Sequence, residues 1–462
     1  MYIGVNPARE SAPVHFYERL CGQRRPWRPF RNDFRGHIWP NKQTQNRTHF
    51  KKTRPVRKER HTTLFLELLY DLKRKSTQIT LKIVSSDEQK HDTAQILLKI
   101  VSRFGRSGIS TIFVNMNPVS ARLLGQQLIC PQFTSPHDVV KWMGAVQGQE
   151  YKMMRWAISM RTQKPSAKAF QADFDAGRII RTHLLRTTWQ LVAAEDYSWM
   201  LSLCRKKALA GLRGWMHANG VDISASEEER ISAIFADTIA GRNDVMKEDL
   251  QEALLQRDIR MDEHRLSYHI RLAELSGLLC SGILHPSKRT LALTQERIAQ
   301  GETPDEEESL YKLAQKYFQS HSPAMLEDFV WWSGLNIGDC RRAVESLGNE
   351  LIQDRWKRQV FYVHAHSRLR GFRSGRIHLL PAYDEYLIGY KSRHVALHPD
   401  YRHHAHDNSG TFWNVVLKDG KVVGNWTLKS DKVQVKTFWP DCRLDENALK
   451  AEIDRFGYFL SH

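Results

Sequence analysis

Cysteine is sparse in this 462-residue chain: Cys21, Cys130, Cys204, Cys280, Cys340 and Cys442 form no CxxC pair, and no two lie closer than sixty residues. That spacing excludes a zinc ribbon and a disulfide framework, and it predicts a reducing compartment, the cytoplasm. Long apolar runs are also missing. The longest, such as Thr63 to Tyr70, fall far short of the ~20 residues a membrane-spanning helix needs. Met1 is followed by a polar, Arg-rich stretch without the apolar core of a secretory leader. No glycine-rich phosphate loop, nucleophile elbow or zinc-protease helix occurs. What is present, 41% hydrophobic and 10% aromatic residues, is the composition of an ordinary globular protein long enough for two or three domains.

The charge is unevenly spread. The chain carries a formal +18, of which +14 falls within residues 1–115. This segment, including KKTRPVRKER at 51–60, lacks apolar periodicity. It is expected to be a disordered basic extension or an upstream segment added by a mistaken start site, with a phosphate-contacting arm as the alternative. Clean helical patterning begins after Met116.

From there the chain reads as short amphipathic helices ending in turns and strands. Ser135-Pro136 supplies an N-cap residue followed by proline at the first helical position, with Gly144 as the stop; Ser322-Pro323 and Ser333-Gly334 are read the same way. The charged stretch from Glu227 to Ala273 predicts a further helix pair, leading into strands at Leu278 to Ser281 and Thr290 to Leu293. Helix, turn, helix and a two-stranded wing is the winged-helix plan. Beyond Gly371 the pattern turns extended. Asp419-Gly420 divides two apolar runs as a tight hairpin turn, Val433, Val435 and Thr437 alternate as a third strand, and the region is expected to be a small β-barrel or meander closed by a helix from Glu446 to Leu460.

Residues 322–363 form the helix-turn-helix candidate: Leu326, Phe329 and Val330 face a core at helical spacing, and Arg341 and Arg342 are expected to open the second helix. Between Arg341 and Arg376 nine Lys/Arg stand against three Asp/Glu. That local excess points to phosphate contact by Arg341, Arg342, Lys357, Arg358, Arg368 and Arg370. A solvated helix face beside a basic loop is the competing reading.

Gln147-Gly148-Gln149 sits between the Gly144 stop and the helix from Tyr151 to Arg161. Side chains at i and i+2 converge only where the backbone is extended, so the two amides share a side only in a strand or an open turn. From composition alone a polar loop is the plainer reading. The histidines His394, His398, His403, His404 and His406, with Asp400 and Asp407, match no metal-ligand spacing. Of the pair Trp331-Trp332, one is expected in the core and one at an interface.

Six segments, in order, resemble one family: GAVQGQEYKMMRWAISMR (144–161), GRIIRTHLLRTTWQLVAAEDYSWMLSL (177–203), ELSGLLCSG (274–282), SPAMLEDFVWWSGL (322–335), HLLPAYDEYLIGYKSR (378–393) and VVLKDGKVVGNW (415–426). The family is that of the AlkZ-like DNA glycosylases, and the similarity runs from about Val119 to the C-terminus. It implies an α+β fold of three tandem winged-helix units scaffolding a small C-terminal β-barrel. The domains expected are a basic extension at 1–115, winged-helix regions at 116–222, 223–305 and 306–370, and the barrel with its helix at 371–462. The family's active-site motif, Gln, an aliphatic residue, then Gln or an acidic residue, falls on Gln147, Gly148 and Gln149. Gly148 departs from the aliphatic pattern, and Gln190 stands where histidine is expected in many relatives.

The resemblance implies a monofunctional glycosylase that needs no metal or cofactor and excises alkylated or crosslinked bases, with double-stranded DNA as partner. No membrane and no obligate protein partner are implied. A purine alkylated at N3 or N7 already carries positive charge, so two neutral amides suffice to orient water and stabilise an oxocarbenium-like centre, with Glu150 as a neighbouring alternative base. The rival expectation is a non-catalytic winged-helix protein, such as a transcription regulator, that only binds.

Overall fold

The computed structural model describes residues 117–299, 304–356 and 359–462. The expectation for residues 1–115 lies outside them, as do Lys357 and Arg358. Among the described residues no helix is long and apolar enough to cross a membrane.

Helix α1 (Pro118–Gly125) opens the described chain, capped by the Asn117 side chain on the Val119 amide. Helix α2 (Pro136–Met143) starts at Ser135 with proline in its first turn and stops at Gly144, whose φ of 80° only glycine adopts freely. Ser135 does not cap through its own side chain. Its Oγ donates instead to Asp173 Oδ2 at 3.0 Å. Strand β1 (Ala145–Gln147), helices α3 (Met154–Ser159) and α4 (Ala167–Asp175), and strands β2 (Ile179–Leu184) and β3 (Thr188–Ala193) complete the first unit. Its antiparallel sheet runs β1-β3-β2, over a core that includes Val139, Met143, Ile158, Phe170 and Leu191.

The 25-residue helix α5 (Ala194–Ala218) leads to the second unit. There α6 (Ala225–Ile239), β4 (Val245–Met246), α7 (Lys247–Leu255), α8 (Glu263–Ser276), β5 (Leu279–Ser281) and β6 (Thr290–Leu293) pack around Phe235, Leu250 and Leu266. The sheet order is β4-β6-β5. Strands β5 and β6 lie where the sequence placed them, because Gly277 adopts φ 86° and ends α8 in the left-handed conformation.

The third unit holds α9 (Glu306–His321), α10 (Leu326–Ser333), α11 (Ile337–Ser346) and the hairpin β7 (Leu351–Trp356) with β8 (Gln359–His364). Two expectations are corrected here. Ser322-Pro323 does not start a helix: Ser322 is the C-cap of α9. Helix α10 begins at Leu326, where the Asp328 carboxylate accepts the Met325 N–H at 3.0 Å. Nor do Arg341 and Arg342 open the next helix, because Asn336 caps it and they lie in its middle. Phe329 and Trp332 are buried, whereas Leu326 and Val330 are only partly covered.

Strands β9 (Ile377–Leu380), β10 (Val415–Lys418), β11 (Lys421–Lys429) and β12 (Lys432–Thr437) form one antiparallel sheet in the order β12-β11-β10-β9. Asp419 and Gly420 make the β10–β11 turn at φ 51° and 76°. Of the barrel and the meander expected here, the described residues form an open four-stranded meander and not the barrel that the resemblance implied, since β9 and β12 each have one strand neighbour. Helix α12 (Glu446–Ser461) packs Phe456 and Phe459 against Trp156. Trp156 and Trp426 are buried, and their indole N–H groups donate to the Leu379 and Leu380 carbonyls at 2.8 and 2.7 Å. These bonds tie α3 and β11 to β9, so the C-terminal sheet and the first unit share one core. The fold is thus a mixed α/β assembly with small antiparallel sheets.

Candidate active site

Gln147 ends β1, and the ladder with β3 continues one residue further through the Gly148 N–H, which donates to the Trp189 carbonyl at 2.8 Å. The segment is therefore extended, the condition under which side chains two apart point one way. Both Gln147 and Gln149 line a single cavity of about 510 Å³, together with Trp331, Tyr383, Arg393 and Phe412. A cavity of this size has room for a nucleobase taken out of the helix stack.

Gln147 is held through its backbone N–H and its side-chain oxygen. Its backbone N–H donates to Glu385 Oε1 at 2.8 Å, and Glu385 is buried at the start of a one-turn helix, Glu385–Ile388. Its side-chain Oε1 receives Gln190 Nε2 at 2.6 Å, Thr188 Oγ1 at 3.2 Å and Arg186 Nη2 at 3.5 Å. Gln190 stands directly opposite in the β1–β3 register. The Gln149 side chain, partly exposed, has no hydrogen-bond partner among the described residues.

Arg186 reaches this position from a strained turn. Leu185 and Thr187 on either side have φ of 52° and 61°, a left-handed conformation costly for a β-branched residue and characteristic of functional sites. Contacts from the third unit hold the turn. Arg186 Nη1 donates to the Trp331 and Trp332 carbonyls at 3.3 and 3.2 Å. Gly334, at φ 70°, lets the two backbones approach, since a Cβ there would stand 3.3 Å from Arg186 Cα and N.

Arg186, Lys391, Arg393 and Arg402 make the cavity cationic. Its carboxylate, Asp407, is taken up by Ser409 Oγ at 2.7 Å and the Thr411 N–H at 2.8 Å. The Arg393 guanidinium lies between the Trp331 and Phe412 rings, 5.4 and 5.0 Å from their centroids. Burial and the neighbouring Arg186 pull its pKa down to about 10. Burial, reinforced by Arg393, likewise pulls His406 down to about 4, leaving it neutral.

Trp332 is in the core, as expected for one of the pair, and Trp331 lines the cavity. His394 and His406 line the cavity while His398, His403 and His404 are exposed, and no three His, Cys, Asp or Glu side chains converge on a metal position among the described residues. The basic residues named from sequence that lie among the described residues are elsewhere. Arg341 is exposed on α11. Its neighbour Arg342 is held by Glu307, by Glu306 at 2.7 Å and by Asp339 at 3.0 Å. Arg368 donates to the Cys130 carbonyl at 2.9 Å, and Arg370 is exposed on the same loop. Sequence reasoning missed Thr188, Arg186, Glu385 and Arg393. The positive φ on both sides of Arg186 is a property of the fold and left no glycine to mark it.

Residues 140–459 match the family described as DNA glycosylase AlkZ-like. An interstrand DNA cross-link repair glycosylase of Streptomyces sahachiroi is 25% identical over 332 residues, covering 69% of this chain and 89% of that one. The solved structure of the DNA glycosylase AlkZ from Streptomyces sahachiroi superposes with a TM-score of 0.61 at 22% identity, covering 75% of this chain and 96% of that one. With the family match spanning more than half of its length, the chain belongs to the AlkZ-like DNA glycosylase family.

Proposed function

We propose that this protein is a monofunctional glycosylase that removes alkylated or crosslinked bases from double-stranded DNA, using Gln147 and Gln149 and no metal or cofactor. The observation that carries the reading is the convergence of both amides on one aromatic-lined cavity. In this reaction the bond from C1′ to the base nitrogen breaks and its electron pair leaves with the cationic base, which departs neutral. A water oxygen then bonds to C1′, and its proton passes to solvent. The protein's share is to hold the extruded nucleotide, orient the water and present dipoles to the cationic sugar.

The three helical units, each with its small sheet, are on this reading winged helices arranged along the duplex. Arg341, Arg342, Lys357, Arg358, Arg368 and Arg370 are the proposed phosphate contacts, which position the protein without reading sequence.

Incubation with a duplex carrying N7-methylguanine tests the proposal: free base and abasic sites are expected, and Gln147→Ala or Gln149→Ala lowers the rate about 10²-fold with duplex affinity nearly intact. Binding without any release of base would replace this reading with that of a non-catalytic DNA-binding protein.

A further inference from the structure

The two glutamines are not equivalent. Every donor that reaches the Gln147 side chain converges on its Oε1: Gln190 Nε2 at 2.6 Å, Thr188 Oγ1 at 3.2 Å and Arg186 Nη2 at 3.5 Å. The orientation follows from Arg186, because a guanidinium has only hydrogen-bond donors and faces the oxygen of an amide, not its NH₂. Thr188 Oγ1 accepts Gln190 Nε2 at 2.8 Å, which leaves its own hydrogen to donate to Gln147. Gln190 then has one sensible orientation, since its flip would set two carbonyl oxygens against each other at the 2.6 Å separation. This arrangement leaves Gln190 Oε1 buried without a partner. The chain accepts an orphaned acceptor there in order to direct a donor at Gln147.

With its oxygen so occupied, Gln147 keeps its Nε2 free: that nitrogen has no hydrogen-bond partner among the described residues and is not one of the fully buried unpartnered atoms, so it is open to the cavity that the residue lines. An N–H does not stabilise a cationic sugar, and it binds an acceptor. Gln149, whose side chain is free in the same cavity, has a carbonyl available for water and for positive charge.

Resting on the glycosylase reading, we infer that Gln147 serves as a hydrogen-bond donor to the acceptor edge of the departing base, that Gln149 is the acceptor for water, and that Gln190 is a positioning residue that orients the Gln147 amide. As the electron pair of the breaking bond moves onto the base, its ring nitrogens and carbonyl become better acceptors, so a fixed donor binds the transition state more tightly than the ground state.

The test uses the full chain on a duplex carrying N7-methylguanine, with single-turnover rates and duplex affinity measured in parallel. Gln147→Glu removes the donor and pairs the new carboxylate with Arg186, so release is expected to fall about 10²-fold or more. Gln149→Glu keeps an acceptor and is expected to lose at least roughly tenfold less than Gln147→Glu does. Gln190→Ala is expected to lower the rate by about tenfold at unchanged affinity, and Gln190→His, which restores an N–H, to recover most of it. Should Gln147→Glu fail to fold, the Gln190 pair decides. Equal losses in the two Glu variants, a larger loss in Gln149→Glu, or a Gln190→Ala rate equal to wild type overturns the division of roles while base release by the wild type still stands. A wild-type protein that releases no base overturns the glycosylase reading and this inference with it.

Discussion

Glu274 Oε2 lies 2.5 Å from His183 Nδ1, and both side chains are buried where the second unit meets β2. Burial pushes the Glu274 carboxyl up to about 8 and holds His183 well below its ordinary range. Both shifts favour the uncharged forms, in which the acid O–H donates to the imidazole.

Stability should therefore fall as pH rises. The folded pKa of Glu274 exceeds the ordinary 4.5, so its contribution is complete below the unfolded value and is lost as pH climbs through about 8. His183 titrates in the opposite sense, but only below its unfolded 6.5. Between pH 6.5 and 8 wild type should lose about 2 kcal/mol relative to Glu274→Gln, whose amide keeps the donor without ionising. Urea melts at the two pH values measure this. Parallel pH profiles for the two proteins would show that the carboxyl is already ionised in the fold.

Gly148 is expected to tolerate a side chain. A Cβ there would meet Arg181 Nε and Leu191 Cγ at 3.5 Å, an ordinary contact, and its φ lies outside the left-handed range. Gly148→Ala should keep base release within about threefold of wild type, because the Gln147 and Gln149 geometry is set by the ladder to Trp189 and by Glu385. A loss of about 10²-fold would mean that the departure from the family's aliphatic residue matters to the chemistry.

Arg341 and Arg342 should separate in salt titrations. Arg341→Ala is expected to reduce the slope of log affinity against log salt by about 0.9, the loss of one phosphate contact. Arg342, surrounded by Glu306, Glu307 and Asp339, should change the slope less. Equal effects would show that DNA displaces the carboxylates, which exposed ion pairs permit at little cost.

Arg161, just past the end of α3, and Asp384 form a buried two-bond pair at 2.8 and 2.9 Å that ties this turn to the segment leading into Glu385. Asp384→Ala leaves the guanidinium buried without its carboxylate and should cost about 3–5 kcal/mol. A denaturant midpoint unchanged from wild type would show that solvent reaches Arg161.

Local chemistry was legible in the sequence. Ser135-Pro136 with Gly144, the strands at 279–281 and 290–293, and the Asp419-Gly420 hairpin are decided by neighbours in the chain, because caps and turns depend on a few consecutive φ and ψ angles. The motif at 147–149 was legible as well, through its resemblance to a family. Tertiary structure alone decided the rest. Ser322 became the end of one helix and not the start of the next, because α10 begins three residues beyond Pro323, at Leu326, where Asp328 accepts the Met325 N–H. The sheet at 377–437 stayed open, with α12 packed on it. Above all, the partners of Gln147 come from positions 186, 188, 190 and 385. Periodicity and propensity report on a few adjacent residues, whereas the direction in which the Gln147 amide points is fixed by donors about forty positions away, and its backbone N–H is held by an acceptor, Glu385, 238 positions away.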